Sequence, residues 1–357
     1  MKKPLFRILN HIKRFLPKFL ALALALCLLP AMAAGESTQK EWVNFLLVCN
    51  EGMNNDKGNA GNTMMVVAMH PSTGRIRLMM FAWDTFIDYE GYDVPQRLDM
   101  PYRSNGPEET MKVFDANFGM NIDLFISLNY LNLASLIDTY GGLEVNITRA
   151  ERNALNGMVA SKKEELKAKA GAGLLSQALI DSLASEYYLN DFGPDTHLNG
   201  LQATAFGWLQ YDSVYNCCER ELAVVASLFS SMADDINQKV TFYTNETGYP
   251  DELHGKRVVN LDDVTDEDMV FLRQIISPIF QKSYNNLQQE EIDSISLALA
   301  RVAYLASRQG YNIFESLDGT VLPLEAKDEY VIIAGAKGHL VNKEANSDAI
   351  REFLYRD

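Results

Sequence analysis

The side chains of this 357-residue chain best suited to chemistry are five histidines, four cysteines and a large set of carboxylates. The histidines (His11, His70, His197, His254 and His339) are scattered, and no HExxH or CxxC spacing joins them to other ligands. That leaves no zinc signature. Cys27 falls in an apolar leader, so Cys49, Cys217 and Cys218 remain, too few and too odd in number for a disulfide framework. Forty-seven acidic residues stand against 32 basic ones, a formal charge of −15. Such a surface repels nucleic acid at long range, so no nucleic-acid partner is expected, and an anionic ligand would need a local cationic pocket.

The leader sharpens this. Lys2, Lys3, Arg7, Lys13, Arg14 and Lys18 precede an apolar run from Phe19 to Leu29, and Pro30 and Ala31-Met32-Ala33-Ala34 follow. A basic start, a short apolar stretch and an A-x-A site are the parts of a secretory signal. Residues 1–34 therefore read either as a signal peptide cut after Ala33 or Ala34, or as an uncleaved membrane anchor. Basic residues inside would orient such an anchor with the body outside. Either way the working part is expected outside the cytoplasm, and without the leader it is more acidic still.

The elements that must position any site alternate. Val43–Asn50 and Thr63–His70 read as buried strands, and Arg75–Ala82 pairs back on the second through the Pro71–Gly74 turn. Pro107–Phe118 reads as a helix stopped by Gly119, Asp123–Leu128 as a strand, Asn129–Tyr140 as a helix and Leu143–Ile147 as a strand. Arg149–Ala172 and Leu174–Tyr188 read as helices, with Gly157–Pro194 an insertion on one face. Helices follow at Leu198–Leu209 and Glu219–Met232. The tail repeats the theme with a strand at Val258–Leu261, helices at Asp266–Phe280 and Gln289–Gln309, a strand at Glu329–Gly335 and a helix at Ala345–Tyr355. Alternation of this kind predicts a layered α/β fold, with residues 41–357 as one domain.

Several strings occur in a telling order: NFLLVCNE, GNTMMVVAMHPSTGRIRLMMFAWDTFIDYEGY, RLDMPYRSNGPEETMKVF, MNIDLFISLNYLNLASLIDTYGGLEVNI, LNGLQATAFGWLQ, ERELAVVASLF and the closing LVNKEANSDAIREFLY. In them the chain resembles the LytR–CpsA–Psr family of cell-envelope proteins over nearly its whole body. The resemblance implies an α-β-α sandwich with a central mixed β-sheet flanked by helices. It implies a place at the outer face of the bacterial membrane. It also implies transfer of a glycopolymer from a polyprenyl-pyrophosphate carrier to peptidoglycan with the help of magnesium, the lipid tail lying in an apolar tunnel.

Carried over position by position, the resemblance makes Asp84 and Arg220 the retained catalytic positions. Arg97, Glu51, Trp83, Trp208, Gln210 and Cys217 are the ligand-binding positions, and Asp84 and Asn62 the metal positions. The family's arginines are replaced at Ala60, Trp83, Trp208, Gln210 and Cys217. Arginines bind pyrophosphate oxygens bidentately and answer the charge that develops in transfer. Their loss sets two readings side by side: a phosphotransferase with an altered site, or a non-catalytic envelope protein that binds a lipid-linked glycan or regulates an active relative. The two tryptophans fill the space as core or as platforms for sugar rings. Because Cys49 and Cys217 both take pocket positions, a Cys49–Cys217 or Cys49–Cys218 bridge stands beside free buried thiols as an alternative.

Overall fold

The computed structural model describes residues 42–50, 61–171, 185–252, 255–308, 317–323, 329–340 and 343–355. The chain order begins with strands β1 (Val43–Asn50), β2 (Gly61–Met69), β3 (Ile76–Phe81), β4 (Thr85–Ile87) and β5 (Gln96–Arg97). Helices α1 (Asp99–Asn105) and α2 (Pro107–Phe118) lead to β6 (Leu124–Asn129), α3 (Tyr130–Thr139), β7 (Leu143–Ile147) and α4 (Arg149–Gly171). Then come β8 (Gly193–Leu198), α5 (Gly200–Gly207), the long α6 (Val214–Lys239), β9 (Val240–Tyr243), β10 (Arg257–Asn260) and α7 (Asp266–Lys282). The order closes with β11 (Tyr284–Asn285), α8 (Gln289–Ala306), β12 (Leu317–Leu322), β13 (Glu329–Ile333), β14 (Ala336–Leu340) and α9 (Lys343–Tyr355).

The main sheet runs β11-β6-β1-β2-β3-β12 and is mixed. β1 pairs parallel with β6 and antiparallel with β2, while β3 pairs parallel with β12. A strand covered on both faces reads as a continuous apolar run, which is why VNFLLVCN and TMMVVAM carry no alternation. One face, including Phe45, Leu47, Met65, Val67, Leu78 and Met80, meets α3 and α5–α8. The other face carries Phe81, whose ring lies 4.7 Å from Phe114 and 5.1 Å from Phe118 on α2. The result is a mixed α/β sheet flanked by helices, as expected.

Local chemistry sets the helix ends. Asn129 caps α3 by accepting from Asn132 N at 2.7 Å, and Asn199 with Gln202 forms a capping box on α5. Ser213 accepts from Asn216 N at 3.1 Å, so α6 starts at Val214 and runs to Lys239, well beyond the expected Glu219–Met232. Gly193 and Pro194, expected at the end of an insertion, belong to β8, which pairs antiparallel with β7. The expected single strand Glu329–Gly335 is a hairpin, β13 and β14, turning at Ala334 and Gly335 with φ of 49° and 84°. β14 continues parallel to β4, and β4 pairs with β5, making a four-stranded second sheet. Residues 1–34, Glu51, Ala60 and most of the expected Leu174–Tyr188 helix lie outside the described residues. Among the described residues no helix is long and apolar enough to cross a membrane.

The contact between α3 and α5 gives a direct test of packing. A Cβ at Gly200 would lie 1.9 Å from the Ala134 carbonyl oxygen, whereas one at Gly157 would meet nothing within 4 Å. Gly200→Ala is expected to cost about 3 kcal/mol or more, because backbone must move. Gly157→Ala, on a helix, is expected to stabilise by up to ~1 kcal/mol. Urea unfolding of the two variants checks both signs.

Candidate functional site

The carboxyl end of β1 sets the floor of the site. Cys49 lies opposite Thr63 of β2, and both are buried. Asn50 donates to the Tyr102 hydroxyl at 3.0 Å, and that hydroxyl meets Ser127 Oγ at 2.7 Å, which ties β1, β6 and α1 together. Trp208 follows α5 and donates its indole N–H to Thr63 Oγ1 at 3.2 Å, with its ring 4.9 Å from that of Tyr130. The first turns of α6 then bring Cys217, Cys218, Arg220 and Glu221 into the interior. The Cys217 thiol donates to the Gly207 carbonyl at 3.4 Å and to Glu221 Oε1 at 3.8 Å.

Glu221 decides the electrostatics here. Its carboxyl is fully buried, and burial holds its pKa well above the carboxylate range against the opposing pull of Thr63, Cys217 and Arg220. Its Oε2 has no hydrogen-bond partner. Burial of this kind favours the neutral, protonated form of the carboxyl. Burial likewise pushes the Cys49 and Cys217 thiols up to about 12, and Cys218 rises too. All three cysteines are free and buried. Protonated, shielded thiols are poor nucleophiles.

Arg220 is clamped from within. It donates to both Asp212 oxygens, at 3.0 and 2.7 Å, and to the Leu209 carbonyl, with Glu151 Oε1 at 3.7 Å. Those hydrogen bonds hold Asp212 below the ordinary carboxylate range. The Tyr211 ring sits 5.1 Å from the guanidinium carbon. Arg97 is held in a similar way. Its Nε is 3.3 Å from Asp99 Oδ1, off the line of a hydrogen bond, and its guanidinium stacks 4.3 Å above the Trp83 ring centre.

Asp84 lies at the start of β4 and is almost wholly buried. Its Oδ1 is 3.0 Å from His339 Nδ1, and its carbonyl accepts from the His339 backbone N–H at 3.2 Å. The ring of His339 meets that of Tyr215 at 5.0 Å, edge to face. Magnesium prefers several oxygen ligands. Here Asp84, of the expected metal positions, faces an imidazole, and among the described residues no group of three His, Cys, Asp or Glu is placed to hold a metal.

The structure thus brings Trp208 and Cys217 to one buried cluster with Thr63 and Glu221, and Trp83 and Arg97 to a second with Asp99. Gln210 is exposed within the segment that Arg220 grips through Leu209 and Asp212. Sequence reasoning missed Glu221, Asp212, Asp99 and His339. Glu221 had a signal, since it follows Arg220 directly and stands four residues, one helical turn, after Cys217. His339 had none, being 255 residues from its partner.

Beside the first cluster lies an apolar cavity of about 40 Å³, lined among others by Phe45, Leu47, Cys49, Leu133, Leu136 and Leu228. Cys49 is shared between the two. A cavity of this size and lining stays dry.

The LytR_cpsA_psr family pattern matches residues 30–238. The chain is similar to the polyisoprenyl-teichoic acid–peptidoglycan teichoic acid transferase TagU of Bacillus subtilis, at 23% identity over 112 residues, 31% of this chain and 36% of that protein. It is similar to the protein of the same name from Enterococcus faecalis at 27% over 85 residues, 24% of this chain and 28% of that one. The matches therefore span about a third of these relatives. Among solved structures, protein gbs0355 of Streptococcus agalactiae aligns with a TM-score of 0.55 at 16% identity, covering 91% of this chain and 90% of that one. TagT bound to LIIa-WTA aligns with a TM-score of 0.55 at 11% identity, covering 89% and 92%. These likenesses show the fold.

Glu221 makes a pH prediction with a definite sign. Its folded pKa is raised, so in the window above the unfolded value of 4.5 and below the folded value, folding takes up a proton. Stability from this group is therefore greatest below the unfolded pKa and falls by about 1.4 kcal/mol per pH unit as pH rises through the window. Glu221→Gln keeps the shape and is expected to flatten that slope and to raise stability at pH 7–8. Urea unfolding between pH 5 and 8 measures both.

Proposed function

We infer that this chain, which belongs to the LytR–CpsA–Psr family, is an extracytoplasmic cell-envelope protein that holds a lipid-linked glycopolymer without transferring it. One observation carries the reading. The two retained cations of the expected head-group site are each already paired with a carboxylate of the same chain, Arg220 with Asp212 and Arg97 with Asp99. A pyrophosphate carries several negative charges, and transfer needs guanidiniums free to meet them. Losing one such donor costs roughly 10²–10³ in rate by analogy with an oxyanion hole. Five arginine positions are replaced here.

The relatives set the ligand class. The curated ones are named for polyisoprenyl-teichoic acid and peptidoglycan, and TagT has been solved with LIIa-WTA bound. An apolar cavity beside the first cluster supports a site for part of a lipid tail, with the helices parting to admit it. The leader of residues 1–34 would put the body at the outer face of the membrane, near such lipids and near peptidoglycan. Regulation of an active relative is the natural use of a protein that binds the carrier without consuming it. The second reading, an altered transferase, rests on Asp84, which keeps its family position at the edge of the site.

A direct assay separates them. The chain is incubated with a polyprenyl-pyrophosphate-linked glycan and magnesium, and bound lipid and released phosphate are both measured. The expected result is retained lipid without turnover. Release at about 1 s⁻¹ or faster, the range of working enzymes, overturns the binding-only reading. In a Glu221→Gln background, arginine restored at Ala60, Trp83, Trp208, Gln210 and Cys217 is expected to raise pyrophosphate affinity at least about tenfold. No gain in any combination would show that these positions no longer line a head-group site.

A further inference from the structure

Two cations outside both clusters have no carboxylate to answer them. Arg149 and Arg152 lie at the start of α4, and their guanidiniums sit over the ring of Phe192, at 5.0 and 5.1 Å from its centre. Among the described residues Arg149 makes no hydrogen bond or ion pair, only this ring contact. Arg152 donates to neutral groups alone, the Asn190 carbonyl at 2.8 Å and Asn153 Oδ1 at 3.0 Å. Arg97, Arg103, Arg220, Arg257, Arg273 and Arg301 each meet a carboxylate. Glu151, between the two arginines in sequence, is engaged elsewhere: it accepts from Thr148 N at 2.8 Å and lies 3.7 Å from Arg220. The pair is therefore a patch of positive charge on a chain with 47 acidic residues against 32 basic ones.

The patch is held in place. Asn156 exchanges two hydrogen bonds with the Leu189 backbone, at 2.7 and 2.9 Å, which lays the segment before β8 along α4. Leu189 is buried, but Phe192 remains 41% exposed, so its ring serves the guanidiniums and not the core. A cation–π contact fixes a guanidinium without neutralising it. Arg149 is also the first residue of α4 and Arg152 stands three residues later, where positive charge opposes the helix macrodipole. Neither an ion pair nor burial offsets that cost. A ligand that brings the negative charge would.

We propose that Arg149, Arg152 and Phe192 form a docking site for a polyanionic chain with one negative charge per repeat, the chemistry shared by a phosphodiester polymer and a polyuronate. The guanidinium N–H groups not used within the protein bind oxyanions of the chain, and the ring keeps the two cations in place between repeats. A lipid surface fits less well, because the exposed ring is already taken up by guanidiniums and is not free to enter an acyl layer. The site contains none of the residues at the expected head-group positions. It lies beside them, since the same turn of α4 reaches Arg220 through Glu151. The proposal deepens the reading that the chain holds a lipid-linked glycopolymer, and rests on it: it names the charge on the polymer and the surface along which the polymer leaves. Two charges bind weakly alone, but a polymer held by its lipid end meets them at an effective concentration of roughly millimolar.

The intact chain, without lipid or metal, is titrated against fluorescently labelled oligo(glycerol phosphate) and oligogalacturonate, and the anisotropy of the label is read. Binding of one or both, weakening as salt rises, is expected, and the oligomer that binds more tightly names the source of the charge. Arg149→Ala is expected to weaken binding about tenfold. Arg152→Lys keeps the charge but loses the planar fork, and is expected to weaken it about threefold. Neither change removes an ion pair, so urea unfolding is expected to show no loss of stability; if Arg149→Ala does lower it, Arg152→Lys decides alone. Arg75→Ala removes an exposed arginine just before β3 and is expected to leave binding unchanged. Binding of neither oligomer, no effect of the deciding variant, an equal loss with Arg75→Ala, or attachment to vesicles of phosphatidylglycerol and phosphatidylcholine in place of the oligomers each overturns the proposal. Turnover in the transfer assay would sink the binding-only reading and leave this site standing. Oligomers that fail to bind would sink the site and leave that reading intact.

Discussion

A guanidinium taken out of water must be answered by a carboxylate or by a ligand, and the cost of leaving it alone is several kcal/mol. That constraint organises this site. Arg220 is answered by Asp212 through two parallel hydrogen bonds and by the Leu209 carbonyl. Each of these partners comes from the short segment between α5 and α6, so the pair also fixes how α6 enters the fold. With α6 fixed, Cys217, Cys218 and Glu221 are committed to the interior, against the end of β1. The sheet, the helix and the loss of a free cation are one arrangement.

The sheet was legible because burial on both faces writes itself into composition. β1 spans its apolar run, β7 shows the alternation of a strand with one face in water, and α2 ends at Gly119 in a left-handed conformation with φ of 64°. The segments that escaped are those stabilised by partners distant in sequence. β12, LDGTVL, has no apolar pattern of its own and exists by pairing along β3. β8 contains Pro194 and alternates weakly, and is held by β7. α6 was cut short because Asn216, Cys217 and Cys218 are poor helix formers, and the Ser213 cap with tertiary packing overrode them.

The site was legible in part, and for a related reason. Family positions gave Trp83, Trp208, Cys217, Arg97 and Arg220, which fall at the carboxyl end of β1 and beside β4 and β5. What a list of positions could not give is their charge state. Whether Arg220 is free depends on Asp212, and whether Arg97 is free depends on an aspartate shared with Arg103. Asp84 faces His339 because β14 runs parallel to β4, a pairing no local pattern announces. Spacing along a chain names the residues of a site; only the fold says which of them are already spoken for.

The arrangement resists reversal one residue at a time. Cys217 Sγ lies 3.8 Å from Glu221 Oε1, so an arginine placed at position 217 would meet that carboxyl before any ligand. A cation so close favours the ionised form of Glu221, and the two would then neutralise each other inside the protein. The neutral carboxyl thus acts as a lock on the first cluster: it is silent beside a thiol and becomes a competitor of pyrophosphate beside a guanidinium. With glutamine at 221 the position could not ionise, and a returning arginine would keep its charge for an incoming anion. An acid at position 221 thus works against a returning arginine as much as the neighbouring thiols do.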